Sequence, residues 1–211
     1  MMKGLITKEI LVLIKNNKMQ FLCLLMFVVL GVFMKSPAYI MFIPFLIPML
    51  VKQGLTVDEM SKWDKYSACF PVDRKKIVSS KYIVVLISAV LASIIALVSF
   101  ILINVVNKDS ALSLSEIEVY LTAASSISII LPAFMYPFDF KYGTAKGRVV
   151  YFILTGIAVA GLSSAFMGAD VAAFVTKLTQ PILIAAIFAA ALIIFIVSWF
   201  ISAKIYEARE I

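Results

Sequence analysis

The stretch YIVVLISAVLASIIALVSFILINVV (residues 82–106) decides the fold, because it contains no Asp, Glu, Lys or Arg and stands between Lys81 and Lys108. Crossing about 30 Å of hydrocarbon as a helix takes about 20 mostly apolar residues. Lipid cannot hydrogen-bond a bare backbone, so such a stretch reads as a membrane span. Working outward, five further apolar stretches cover 19–34, 37–51, 117–138, 149–167 and 181–203. Composition agrees, with 63% hydrophobic and 15% charged residues and a mean hydropathy of +1.06. The expectation is an all-α membrane protein of six transmembrane helices, a single transmembrane domain over 1–211 with no room for a soluble domain.

Orientation follows from the loops, since short cytoplasmic connections retain Lys and Arg during insertion. The arm before the first stretch holds Lys3, Lys8, Lys15 and Lys18. Between the second and third stretches lie Lys52, Lys62, Lys65, Arg74, Lys75, Lys76 and Lys81; the fourth-to-fifth connection adds Lys141, Lys146 and Arg148, and the tail Lys204 and Arg209. Of the 19 basic residues, only Lys35, Lys108 and Lys177 fall in the alternate connections, beside Asp109, Glu116, Glu118 and Asp170. Both termini are expected in the cytoplasm. The net charge of +7 is then explained by topology and anionic headgroups, and no nucleic-acid partner is expected. The first stretch lacks an A-x-A-like cleavage site, so a removable signal peptide is not expected. Cys23 in lipid and Cys69 in the cytoplasm are not expected to pair.

Absent residues narrow the chemistry. The chain has no His, which removes the commonest general base and metal ligand and, with them, the His-dependent intramembrane proteases. No metal site and no catalytic residue is assigned. Glu116, Glu118 and Asp139 are the best candidates for intramembrane charge, and all three fall at expected helix ends, which disfavours a proton-coupled pump. The run from Gly143 to Arg148 lacks the spacing and the Lys-Ser/Thr ending of a phosphate-binding loop. Uphill transport by this chain therefore needs energy delivered from outside it.

The segment 52–81 is more patterned than a solvated linker. Thr56 and Glu59 have capping-box spacing, which predicts a helix starting there and carrying Met60, Trp63 and Tyr66. Phe70-Pro71 ends it, and Asp73 caps the next helix, with Arg74, Lys75 and Lys76 in its first turn. Two readings fit Trp63 and Tyr66: an interfacial aromatic belt, or a docking surface for a cytoplasmic partner. The mixed charges at Asp58, Glu59, Lys62, Asp64 and Lys65 favour docking. In the N-terminal arm, Leu5, Ile6, Ile10, Leu13 and Ile14 form a stripe that predicts an amphipathic helix lying in the headgroup layer. Asp170 is expected to cap a short outer helix over 170–178, with Val171, Phe174, Val175 and Leu178 on one face.

Within the spans, Pro37, Pro44 and Pro48 predict a kinked or broken second stretch. Pro132 and Pro137 permit bending of the fourth. Thr122, Ser125, Ser126 and Ser128 form a polar patch that either bonds back to its own helix or lines a pathway. Gly156, Ala160 and Ser164, at four-residue intervals, and Ala185, Ala186, Ala189 and Ala190 let backbones approach closely. They predict tight packing of the last two spans, within the bundle or across a dimer seam.

Taken together, three patches resemble the small bacterial ABC-2 type permeases, including those of phenol-soluble modulin exporters. The first is the start Met2-Lys3-Gly4-Leu5-Ile6-Thr7-Lys8-Glu9. The second runs from Glu59 through Trp63 and Tyr66 to Phe70-Pro71-Val72-Asp73-Arg74 and Lys81-Tyr82. The third joins Leu131-Pro132 to Phe140-Lys141-Tyr142-Gly143 and Lys146-Gly147-Arg148. The resemblance implies an ABC-2, type V exporter-like architecture in a bacterial cell membrane. It implies an elbow helix at 4–16, a coupling region at 56–70 that docks on a cytoplasmic P-loop ATPase subunit, and pairing with a second copy or sister permease. Carried over by position, Glu59, Lys62, Trp63, Tyr66 and Arg74 belong to that docking region. It further implies that ATP and Mg are bound by the partner and no cofactor by this chain, and that the cargo is an amphipathic peptide or other hydrophobic compound. Two competing readings are the substrate-binding membrane subunit of a vitamin importer and a non-transport membrane scaffold.

Overall fold

The computed structural model describes residues 2–34, 37–67, 69–70, 73–106, 114–168 and 181–208. Every regular element among them is helical: α1 (Met2–Asn16), α2 (Lys18–Phe33), a 3₁₀ segment (Pro37–Phe42), α3 (Ile43–Met60), α4 (Trp63–Ser67), α5 (Arg74–Val106), α6 (Leu114–Tyr142), α7 (Thr144–Gly168) and α8 (Pro181–Glu207). The expected outer helix over 170–178 lies outside the described residues.

Among the described residues, three helical stretches are long and apolar enough to cross a membrane: Arg74–Val106, Ile117–Tyr142 and Ala185–Glu207. The pair Met2–Asn16 and Lys18–Phe33, bent by 72°, passes the same test together. The expectation was six. In α3 the apolar stretch runs without a break into Lys52, Asp58 and Glu59, which shortens its apolar part. In α7 the side chains of residues 162–168 lie outside the description.

The helices exceed the apolar stretches because polar residues flank them without breaking them. Thr56 does not open a helix: it sits inside α3, its hydroxyl donating to the Lys52 carbonyl at 3.4 Å. A Ser/Thr side chain bonded back to its own helix looks the same in sequence as a cap. Pro44 falls in the first turn of α3, where the missing N–H costs nothing, and only Pro48 lies inside the helix. Asp73 directly precedes α5, and its carboxylate pairs with the Lys76 ammonium at 2.8 Å. That pairing holds the carboxyl below its usual range, so it contributes at neutral pH and is lost as pH falls through the lowered value.

α6 is the central helix, packed against α3, α5, α7 and α8. Its two prolines do not interrupt it. Pro137 cannot donate to the Ala133 carbonyl one turn back, and the Ser198 hydroxyl of α8 donates to that oxygen instead. Ser198 in turn accepts from the Tyr82 hydroxyl at 2.8 Å, and Tyr82 accepts from Ser202 at 2.7 Å. This relay joins α5, α6 and α8 within an aromatic column, Tyr82 on Phe195 at 5.0 Å and on Tyr136 at 5.2 Å. Replacing Ser198 by Ala leaves the Ala133 carbonyl buried without its donor, so a loss of about 1–3 kcal/mol is expected, read as a lower thermal midpoint in detergent.

Against those contacts, the small-residue faces are open. Gly156 has nothing within 4 Å of where a Cβ would stand, Ala160 is exposed, and so are Ala185, Ala186, Ala189 and Ala190. The Ser164 side chain lies outside the description. Among the described residues, Gly156 and Ala160 of this stripe therefore do not form a packed seam within one chain.

Candidate functional site

The charged ends of α1, α3, α5, α6, α7 and α8 meet at one end of the bundle, and α4 lies beside them. Three polar knots hold that end together.

The first knot has two cations and two anions. Lys81 of α5 reaches Glu9 of α1 at 3.0 Å and also pairs with Asp58 of α3. Lys8 pairs with Asp58 and stands 3.1 Å from Glu9. Lys81 is only 5% exposed, and the two carboxylates 7%. Buried charges persist only when paired and bonded, and this set is neutral overall. Leu5, Ile6, Ile10 and Leu13 pack on the adjacent apolar core, so the stripe of α1 faces protein; Ile14, on the stripe's margin, is exposed.

The second knot joins α3, α6 and α7. Lys52 stands 3.2 Å from Asp139, whose side chain is fully buried. The approach is off the line of a hydrogen bond, so the ammonium and both carboxylate oxygens keep unfilled bonding capacity. Gly147 of α7 makes the close approach possible, since a Cβ there would lie 1.6 Å from Asp139 Oδ1.

The third knot ties α3 to the start of α7. The Glu59 carboxylate accepts from the Thr144 N–H at 2.8 Å and from the Thr144 hydroxyl, a carboxylate at a helix N-terminus where the macrodipole favours it. Gly143 takes φ +85°, and a Cβ on it would stand 2.8 Å from Glu59 Oε1. The two glycines of the 143–148 run thus have backbone and packing reasons to be glycine. Between the knots is a crevice of about 30 Å³ lined by Asp58, Glu59, Lys81, Asp139 and Thr144, room for little more than water. Among the described residues no cluster of His, Cys, Asp and Glu could hold a metal ion.

Asp58 and Glu59 are consecutive in the last turn of α3, yet they grip different helices. One side chain goes to α1 and α5, the other to α7. Directly beyond them Lys62 turns the chain with φ +53° and opens α4. Trp63 is half-buried, with the Lys8 ammonium 4.4 Å above its ring and Phe70 stacked at 6.4 Å. Met60, Tyr66 and Phe70 are 80%, 65% and 56% exposed.

Of the residues assigned to docking, Glu59, Lys62, Trp63 and Tyr66 come together at the α3–α4 turn. Arg74 is engaged elsewhere: its guanidinium donates to the Glu207 carbonyl at 2.9 Å, at the end of α8. Of the polar patch, Thr122 and Ser125 bond back to Glu118 and Thr122 carbonyls, both at 2.9 Å. The buried hydroxyls of Ser126 and Ser128 have no hydrogen-bond partner among the described residues. The Glu116 side chain lies outside the description.

Sequence reasoning missed Glu9, Asp58 and Lys81 as a set. One signal was legible: Glu9 interrupts the apolar stripe between Leu5 and Leu13, and an acid on a packed face needs a buried partner.

Long apolar helices and a charged end tied across several of them define a multi-pass membrane protein. The family model described as ABC-2 family transporter protein matches residues 4–207. The chain belongs to that family and is a permease subunit of an ABC transporter, a transport component rather than a catalyst. No curated protein matches it.

Proposed function

We propose that this chain is the transmembrane permease subunit of an ATP-driven exporter that moves amphipathic peptides or other hydrophobic compounds out of a bacterial cell. α2, the segment through the 3₁₀ turn and α3, then α5, α6, α7 and α8 supply six crossings, and α1 is the elbow helix. The end carrying the three knots faces the cytoplasm with both termini, as the positive charge of those connections favours. Two such units, identical or sister chains, pair in the membrane. A cytoplasmic P-loop ATPase binds ATP and Mg and docks on the α3–α4 segment.

The observation that carries this reading is the exposed trio Met60, Tyr66 and Phe70 around Trp63. It sits beside the charged helix ends, where three large exposed side chains of mostly apolar surface favour a protein partner. Asp58 and Glu59 anchor the same segment to α1, α5 and α7, so a push on it reaches three helices at once. Packed helices transmit displacement because their interiors resist compression. The outward-facing Tyr66 and Phe70 make the clean test, since Glu59 also caps α7. Replacing both by Ala is expected to weaken copurification of the ATPase subunit at least tenfold while the thermal midpoint holds. Full retention of the ATPase would refute the docking assignment.

A further inference from the structure

α1 runs antiparallel along α3, and the contacts between them keep one register. Asn17, 1% exposed, donates to the Leu50 carbonyl at 3.3 Å. A Cβ on Gly54 would meet Glu9 Oε2 at 3.2 Å, and Lys8 pairs with Asp58. Positions rise on α3 as they fall on α1. From Lys8 to Asn16 the first helix advances about 12 Å, with Asn17 directly after it, and from Leu50 to Asp58 the other advances about 12 Å, so the polar ties at both ends are in phase. Between them Leu13 lines the same small cavity as Val51 and Leu55. Beyond the charged tie, Lys8 also covers the Trp63 ring of α4.

We propose that α1 and α3 move as one body, so that displacement of the α3–α4 segment is delivered through the bend at Asn17 directly to α2. This rests on the reading of α3–α4 as the docking segment. An anchor lying free in the headgroup layer would stay behind when α3 moves. A helix tied at both ends in phase cannot slide on its neighbour without separating Lys8 from the nearly buried Asp58. The 72° corner at Asn17 is where the carried helix turns into α2. The elbow is then part of the lever, and α2 is driven at its base.

The test locks the two helices together. Leu13→Cys and Val51→Cys, with Cys23→Ala and Cys69→Ala, leave every charged tie in place. The permease is reconstituted with its ATPase subunit in liposomes, the pair is oxidised to a disulfide, and ATP hydrolysis is measured before and after. The account expects the locked complex to hydrolyse ATP within about twofold of the unlocked one. A tenfold or larger loss that reductant restores would overturn it, since it would mean that α1 and α3 separate during the cycle. Should the cysteine pair fail to form, nitroxides at Leu11 and Gln53 give the same decision. Their distance distribution must superimpose between the nucleotide-free and the vanadate-trapped complex, and a shift between the two counts against a single body. Failure of the docking reading would appear separately, as ATPase binding retained after Tyr66 and Phe70 are replaced.

Discussion

Replacing Lys81 by Met lowers the stability of this protein by about 3–5 kcal/mol, the cost of removing one partner from a buried charged set. Lys81 pairs with both Glu9 and Asp58 at 5% exposure, so its loss leaves two carboxylates sharing Lys8 alone. Adding Asp58→Asn to Lys81→Met leaves Lys8 facing Glu9, neutral again, and is expected to recover most of the loss. The measurement is a double-mutant cycle on thermal unfolding in detergent. Additive losses, with no recovery, would mean that the four groups are not one electrostatic unit.

Gly147→Ala is expected to be nearly as damaging through steric rather than electrostatic means. With the new Cβ 1.6 Å from Asp139 Oδ1, either α7 retreats from α6 or the carboxylate leaves Lys52, whose ammonium is itself 3.2 Å from that Cβ position. Overpacking of this kind costs about 1–3 kcal/mol, and stranding Lys52 without its counter-ion adds to it. The compensating variant removes both charges and the clash: Gly147→Ala with Asp139→Ala and Lys52→Met. It is expected to be more stable than Gly147→Ala alone, because an apolar replacement of a buried ion pair is often neutral or better. A single substitution at Gly147 without measurable effect on the thermal midpoint would contradict the packing described for α6 and α7.

Much of the helical order was legible because it is written in runs without charge. Residues 82–106 form the apolar body of α5, and 181–203 most of α8. Helix starts were harder, since Thr56 at capping spacing from Glu59 meets the same rule as a true N-cap, and nothing local shows that α3 arrives from the membrane side already helical. Prolines misled in a similar way. Pro44 starts a helix and Pro137 is tolerated because Ser198, 61 positions later by residue number, supplies the missing donor to Ala133. The site was partly legible. Trp63 and Tyr66 stood out as docking candidates by residue type, and Asp58 by its mixed-charge setting, whereas nothing local showed that Asp58 meets Lys81, or Lys52 meets Asp139, until the fold brought them together. Long-range pairing leaves little local trace, and Glu9 inside an apolar stripe was the exception.

The arrangement explains why consecutive acids close α3. Asp58 holds α1 and α5 and Glu59 holds α7, so one short segment is tied to three other helices. Force applied at α4 need not travel through the apolar core to reach them.

The most direct test of the account reconstitutes the chain in liposomes with and without its ATPase subunit and follows accumulation of a fluorescent amphipathic peptide against its gradient. The account predicts ATP-dependent accumulation only when both subunits are present, abolished when Tyr66 and Phe70 are both replaced by Ala. Concentrative transport by the chain alone, with no nucleotide-hydrolysing subunit in the membrane, would contradict it.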